Sequence, residues 1–272
     1  MDFHAEDIEY QRQDGQALLA RVYQPTGPGP FPAVLEVHGG AWTSGDRFNN
    51  VAIAEALAAS GVVVASIDFR MPPQAGYLDT MADVNLGIRW LKANAEKFQS
   101  RADLVGGLGT SSGGHMLLLS ALRPTDARYA KLPLAGSTHD ASLRFAIACW
   151  PVTDPLKRYR VMQENGNDRL VAAHDKFWPS VAAMEEGNPT LLLLRGEKTA
   201  QPPAMIVQGT ADNNLTLDMA DNFASAYHAS GGHIEKHIFA EQPHAFIPNA
   251  PTAPDSLRAL ELIKSFVHKH AG

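Results

Sequence analysis

Val62-Val63-Val64-Ala65-Ser66-Ile67-Asp68 is a nearly unbroken β-branched run, apolar on both alternating faces until its last residues. A strand of this kind leaves no face for water, which restricts it to a parallel sheet covered on both sides. Further apolar runs stand at Phe31–Val37, Leu104–Thr110, Phe145–Trp150 and Ala204–Gln208. Between them the spacing predicts helices over Val51–Ser60, Met81–Phe98, His115–Leu122 and Leu217–Ser230. Ile234–Phe239 alternates as a last strand, and Leu257–Lys269 closes the chain as a helix. At the start, Ile8–Arg12 and Ala17–Tyr23 read as two strands around Asp14-Gly15, a hairpin-turn signal. Strand and helix alternating in this way predict an α/β fold, with about eight mostly parallel strands and helices on both faces.

One stretch breaks the alternation. From about Pro155 to Pro203 the pattern is irregular helix, with Met162, Phe177, Trp178 and Met184 scattered among charged residues. This predicts a cap inserted at 155–203 over one edge of the sheet, within a single domain spanning 1–272.

Composition narrows the function classes. A net charge of −6 with no basic run argues against nucleic acid as a partner. No apolar run reaches the ~20 residues that a membrane-spanning helix needs. The acidic start Met1-Asp2-Phe3-His4-Ala5-Glu6-Asp7 lacks the order of a signal peptide, so the expected location is cytoplasmic. Cys149 sits in the apolar run Phe145-Ala146-Ile147-Ala148-Cys149-Trp150 with no basic neighbour. It reads as a small buried hydrophobe and not as a thiol nucleophile. No histidine pair has zinc spacing with a third ligand, so neither metal nor cofactor is expected.

Chemistry enters at Gly109-Thr110-Ser111-Ser112-Gly113-Gly114, between the strand ending near Thr110 and the helix after it. A strand, a Gly-x-Ser-x-Gly turn and a helix are the context of a nucleophile elbow. Small residues two positions either side of the serine let strand and helix pass closely. The helix N-terminus places backbone N–H groups where negative charge develops.

A serine hydroxyl is a poor nucleophile until an oriented base takes its proton. Asp212 follows the Ala204–Gln208 strand in Gln208-Gly209-Thr210-Ala211-Asp212, and His244 follows the Ile234–Phe239 strand in Glu241-Gln242-Pro243-His244. Upstream, Val37-His38-Gly39-Gly40-Ala41-Trp42 closes another strand. Glycines there let backbone N–H groups approach a substrate carbonyl, with Gly40, Ala41 and Ser112 as candidate donors.

Taken in order, His38-Gly39-Gly40-Ala41-Trp42, Asp68-Phe69-Arg70, Gly109-Thr110-Ser111-Ser112-Gly113-Gly114, Gly209-Thr210-Ala211-Asp212 and His244 resemble the α/β-hydrolase superfamily, and within it the hormone-sensitive-lipase-like esterases. The resemblance spans nearly the whole chain. It implies Ser111 as nucleophile, Asp212 as acid, His244 as base, and an oxyanion hole from Gly39, Gly40, Ala41 and Ser112. Two positions depart from the pattern. Ala41 replaces the third glycine of the common His-Gly-Gly-Gly signature, and Thr110 stands where Asp or Glu usually precedes the nucleophile. The form His-Gly-Gly-x-Trp also resembles kynurenine formamidases and small acetyl- or feruloyl-type esterases.

Plainer roles compete with several of these. Asp212 also suits a cap for the following helix, with Asp218 as fallback acid and Asp154 as a weaker alternative. His228, His233, His237, His268 and His270 lie on helices or an alternating strand and read as solvated or satisfied. His115 and His38 read as structural. Trp42, Phe69, Phe177 and Trp178 either line a substrate pocket or belong to the core.

The expected function is a serine hydrolase acting on small-molecule carboxylic esters of small or medium acyl chain through an acyl-enzyme. An amidase or arylformamidase with the same triad is the alternative, and a non-catalytic hydrolase-fold binding protein the third reading. A homodimer is expected only by analogy with related esterases.

Overall fold

The computed structural model describes residues 1–13 and 15–271. Its elements run β1 (Phe3–Gln13), β2 (Gln16–Pro25), β3 (Phe31–Val37), α1 (Val51–Ala59), β4 (Val63–Ile67) and α2 (Tyr77–Asn94), the last extended by a 3₁₀ turn at Ala95–Phe98. Then come β5 (Ser100–Thr110), α3 (Ser112–Leu122), β6 (Ala146–Cys149), α4 (Pro155–Glu164), α5 (Asp168–Phe177), α6 (Val181–Glu186) and α7 (Pro189–Leu194). The chain continues through β7 (Ala204–Gly209), α8 (Leu217–Ala229), β8 (Ile234–Phe239), the short α9 (Phe246–Asn249) and α10 (Pro254–Ala271). Gln13 pairs with Gln16 across the first turn, where Gly15 has φ +82°. The other half of the expected turn signal, Asp14, lies outside the described residues.

The eight strands form one sheet in the order β1-β2-β4-β3-β5-β6-β7-β8. β1, β2 and β4 pair antiparallel, and every pair from β4 to β8 is parallel. This is the α/β-hydrolase fold. All five residues of β4 are buried, as its β-branched run requires.

Adjacent glycines of β5 reveal the two covered faces. A Cβ on Gly107 would meet Leu117 of α3, whereas one on Gly106 would strike the Phe145 ring. Phe145 packs edge-on against Phe266 of α10. Since successive strand residues point to opposite faces, α3 and α10 cover opposite sides of the sheet.

Between β6 and β7, where the pattern reads only as irregular helix, four helices form, α4 to α7. Each begins with its own cap. Asp154, Asn167, Ser180 and Asn188 accept from backbone N–H groups three residues on, and Pro155 and Pro189 occupy first helical positions. Short helices started by caps in this way need no long hydrophobic repeat.

The connections after β3 and β5 leave in opposite directions, one towards β4 and the other towards β6. In open α/β sheets, ligands bind beyond the strand C-termini at such a switch point. Val37 and Gly109 are register partners there, so the Gly39-Gly40 loop and Ser111 emerge side by side.

Candidate active site

Ser111 sits between β5 and α3 with φ 51° and ψ −118°, a region L-residues rarely occupy. Such strain costs ~1–3 kcal/mol and persists only where the surroundings enforce it. Here they do. Ser111 N donates to Cys149 O at 2.9 Å, and Val152 N and His115 N donate to Ser111 O at 3.1 and 3.2 Å. The flanking glycines are demanded by contact: a Cβ on Gly113 would lie 2.1 Å from Val37 O, and one on Gly109 would lie 2.5 Å from Gly113 O.

His244 Nε2 lies 3.0 Å from Ser111 Oγ, and His244 Nδ1 lies 2.8 Å from Asp212 Oδ2. A carboxylate only accepts, so Nδ1 carries the proton and Nε2 is left to accept from the hydroxyl. Asp212 is almost fully buried while the imidazole keeps 16% of its surface. Burial raises the Asp212 carboxyl, but hydrogen bonds from His244, Gln208 and Asn214 outweigh it and hold it below the usual carboxylate range. The loops carrying these two residues meet at Gly209, where a Cβ would lie 2.1 Å from Gln242 O.

Beside Ser111 the loop after β3 turns through three left-handed residues: Gly40 (φ 115°), Ala41 (φ 52°) and Trp42 (φ 62°). Its shape is fixed from α3. Trp42 N donates to Ser112 Oγ at 3.1 Å, and the Trp42 indole donates to His115 Nδ1 at 3.2 Å. His115 therefore carries its proton on Nε2 and donates to Gly187 O at 2.8 Å. Burial lowers this imidazole to about 4, so it is neutral at pH 7. Among the described residues, the N–H groups of Gly40 and Ala41 have no acceptor. Ser112, at the first position of α3, has none within its helix.

Gly40, Ala41, Ser111 and His244 border a cleft of about 300 Å³, walled further by Trp150, Arg158, Leu170 and Asn214. No group of three or more His, Cys, Asp or Glu able to hold a metal ion occurs among the described residues. A model of the BD-FAE family matches residues 21–227. The chain belongs to the BD-FAE family. This BD-FAE chain is also 37% identical over 250 residues to esterase LipC of Mycobacterium tuberculosis, an alignment covering 88% of the chain and 59% of that relative. It is 25% identical over 197 residues to the probable carboxylic ester hydrolase LipM of the same organism, covering 68% of the chain and 45% of LipM. The chain thus spans only about half the length of these curated relatives. A thermophilic esterase of Thermogutta terrifontis, solved with propionate bound, superposes with a TM-score of 0.77 at 24% identity, over 97% of this chain and 94% of that one. That likeness is one of fold.

Trp42, Phe69, Phe177 and Trp178, which the sequence leaves open between pocket and core, do not line this cleft in the BD-FAE chain. Trp42 is wholly buried, stacked on Phe177 at 5.1 Å and met edge-on by His115, His174 and Trp178. Phe69 is buried too, stacked on His38 at 4.2 Å. Through Trp42 this cluster fastens α5 to the loop after β3. The cleft wall comes instead from residues that looked ordinary in the sequence. Trp150 directly follows β6, and Arg158 and Leu170 sit in α4 and α5. Only the left-handed Trp150 (φ 39°) carries a conformational mark, and no sequence pattern announces it.

The other candidates divide cleanly. Asp154 caps α4 and accepts from Asn188 Nδ2 at 2.7 Å. Asp218 accepts from Thr216 Oγ1 and Lys157 Nζ. Cys149 is buried, and burial pushes its thiol up, as a structural cysteine requires. Behind Ser111, Asn50 Nδ2 donates to Glu36 Oε1 at 2.6 Å and to Thr110 Oγ1 at 3.1 Å. The acid missing at position 110 is thus matched by the buried Glu36 carboxyl on the neighbouring strand β3.

Proposed function

We propose that this chain hydrolyses small-molecule carboxylic esters of small or medium acyl chain through an acyl-enzyme on Ser111. The observation that carries this is the unbroken path from Asp212 through His244 to Ser111 Oγ, opening on a cleft of about 300 Å³ beside unpaired N–H groups. As Ser111 Oγ attacks the ester carbonyl, its proton passes to His244 Nε2 and the new C–O bond places negative charge on the carbonyl oxygen. Asp212 stabilises the imidazolium that forms. Gly40, Ala41 and Ser112 hold the oxyanion, each such donor being worth ~3–4 kcal/mol in the transition state. His244 then returns its proton to the departing alkoxide. Water, deprotonated by the same imidazole, releases the acid and restores Ser111. The stretch 155–203 acts as the cap that bounds the acyl site, through α4 and α5.

The names of the relatives support the ester reading, as does the size of the cleft. Turnover of 4-nitrophenyl butyrate by the wild type and by Ser111→Ala tests it. Loss of at least about a thousandfold in kcat/KM is expected, whereas an active Ser111→Ala would overturn the assignment.

A further inference from the structure

Arg158 lies in the cleft wall, 2% exposed, and the reaction above gives it no task. Among the described residues no carboxylate pairs with its guanidinium, and its Nε has no hydrogen-bond partner. Its neighbours are poor substitutes for a counter-ion. Nη1 lies 3.4 Å from His174 Nε2, and the group stands over the Trp42 ring at 5.5 Å. Arginine has only donors, so His174 Nε2 must accept and its Nδ1 must carry the proton. That Nδ1–H has no acceptor either. Asp212 favours the Arg158 charge from a distance, but its oxygens are committed to His244, Gln208, Asn214 and Leu215.

A buried cation without a carboxylate is among the most costly features a fold can hold. Burial pulls even this guanidinium down to about 10. Arg169, exposed on α5, lines the same cleft, and no acidic side chain does. The chain carries a net charge of −6, yet its charged cleft-lining side chains are cationic.

We propose that Arg158, with Arg169 at the rim, forms a carboxylate-binding subsite, so that the ester taken at Ser111 carries an ionised carboxylate besides its ester group. This rests on the hydrolase reading and names its substrate class. The guanidinium fork matches a carboxylate with two parallel hydrogen bonds, and a dry site strengthens both. The carboxylate is held as the ion and leaves unchanged in the product. It belongs either to the acyl part of the ester or to the alcohol part.

The test follows ester hydrolysis by pH-stat in two arms. Monomethyl glutarate is compared with methyl pentanoate for an acyl-side carboxylate, and 3-acetoxypropanoate with butyl acetate for an alcohol-side one. In the wild type, kcat/KM for the anionic ester should exceed that for its neutral partner by at least about tenfold in one arm. That ratio should fall to one or below in Arg158→Met, and partway in the exposed Arg169→Gln. The wild-type ratio stands even where Arg158→Met fails to fold. Equal or better turnover of the neutral ester in both arms overturns the subsite and leaves the hydrolase reading intact. Turnover of no ester removes the hydrolase reading. Calorimetric titration with glutarate then judges the subsite alone: binding lost in Arg158→Met supports it, and absence of binding overturns it.

Discussion

Asp212 meets His244 with one carboxylate oxygen and closes its own loop with the other. Oδ2 lies 2.8 Å from His244 Nδ1, while Oδ1 accepts from the N–H groups of Asn214 and Leu215 at 2.8 and 3.0 Å. The turn that follows β7 and the orientation of the imidazole therefore depend on one side chain. Asp212→Asn keeps an oxygen for the turn but loses the charge facing the imidazole. It should reduce kcat/KM by ~10³–10⁴, with little change in unfolding free energy. Asp212→Ala should add a loss of ~1 kcal/mol or more, because the turn N–H groups of Asn214 and Leu215 lose their acceptor. Ester kinetics and urea unfolding measured on both variants check this, and an Asp212→Asn enzyme close to wild type would contradict it.

The elbow makes a steric prediction. A methyl on Gly113 would meet Val37 O at 2.1 Å and His38 O at 2.3 Å, both backbone atoms that no rotamer change can move. Gly113→Ala should destabilise the fold by ~3 kcal/mol or more, above the usual range for overpacking by one carbon. Gly136→Ala is the control for helix-independent glycine effects, because nothing lies within 4 Å of a Cβ there. Its φ of +73° still makes it mildly unfavourable. Equal melting temperatures for the two variants would contradict the close passage.

How much of this was legible beforehand depended on the physics behind each signal. Burial on both faces wrote β4 into the sequence as Val62–Ile67, and contact between backbones wrote Gly109 and Gly113. Ser111, Asp212 and His244 each stand just beyond a strand, so the predicted strands carried them to one edge of the sheet. The cleft wall was not legible. Whether an aromatic faces a cleft or a core depends on where separate helices dock, and local pattern does not encode that. Trp42 is open between pocket and core in the sequence, and its left-handed backbone turns the ring into the cluster with Phe177 and Trp178. Arg158 is buried on α4 although neighbouring positions of that helix are polar, and no local pattern singles it out.

The Trp42 cluster should therefore govern stability and not substrate choice. Trp42→Ala removes a fully buried indole and should cost ~3–5 kcal/mol. Trp42→Phe should cost less and change the ranking of neutral esters by chain length hardly at all. A Trp42→Phe enzyme with wild-type stability and an altered acyl-chain profile would return Trp42 to the pocket.

Glu36 predicts a dependence of stability on pH. Burial raises its carboxyl from 4.5 to about 7, against the pull of the Asn50 hydrogen bond. The fold thus prefers the protonated form. Its contribution is fully present below pH 4.5 and is lost as the pH rises through 7. Glu36→Gln removes this loss. The stability of the variant relative to wild type should increase between pH 4.5 and pH 8, by on the order of 3 kcal/mol. Urea unfolding at both pH values measures the difference, and a pH-independent gap would mean that the carboxyl is not held protonated by the fold.

The central claim is that Ser111 is a nucleophile activated by His244. The most direct measurement is covalent labelling with a fluorophosphonate, followed by peptide mapping in the mass spectrometer. One adduct per chain on Ser111 is predicted, absent in Ser111→Ala and strongly slowed in His244→Ala. An unlabelled wild type, or an adduct on a different residue, would contradict the account.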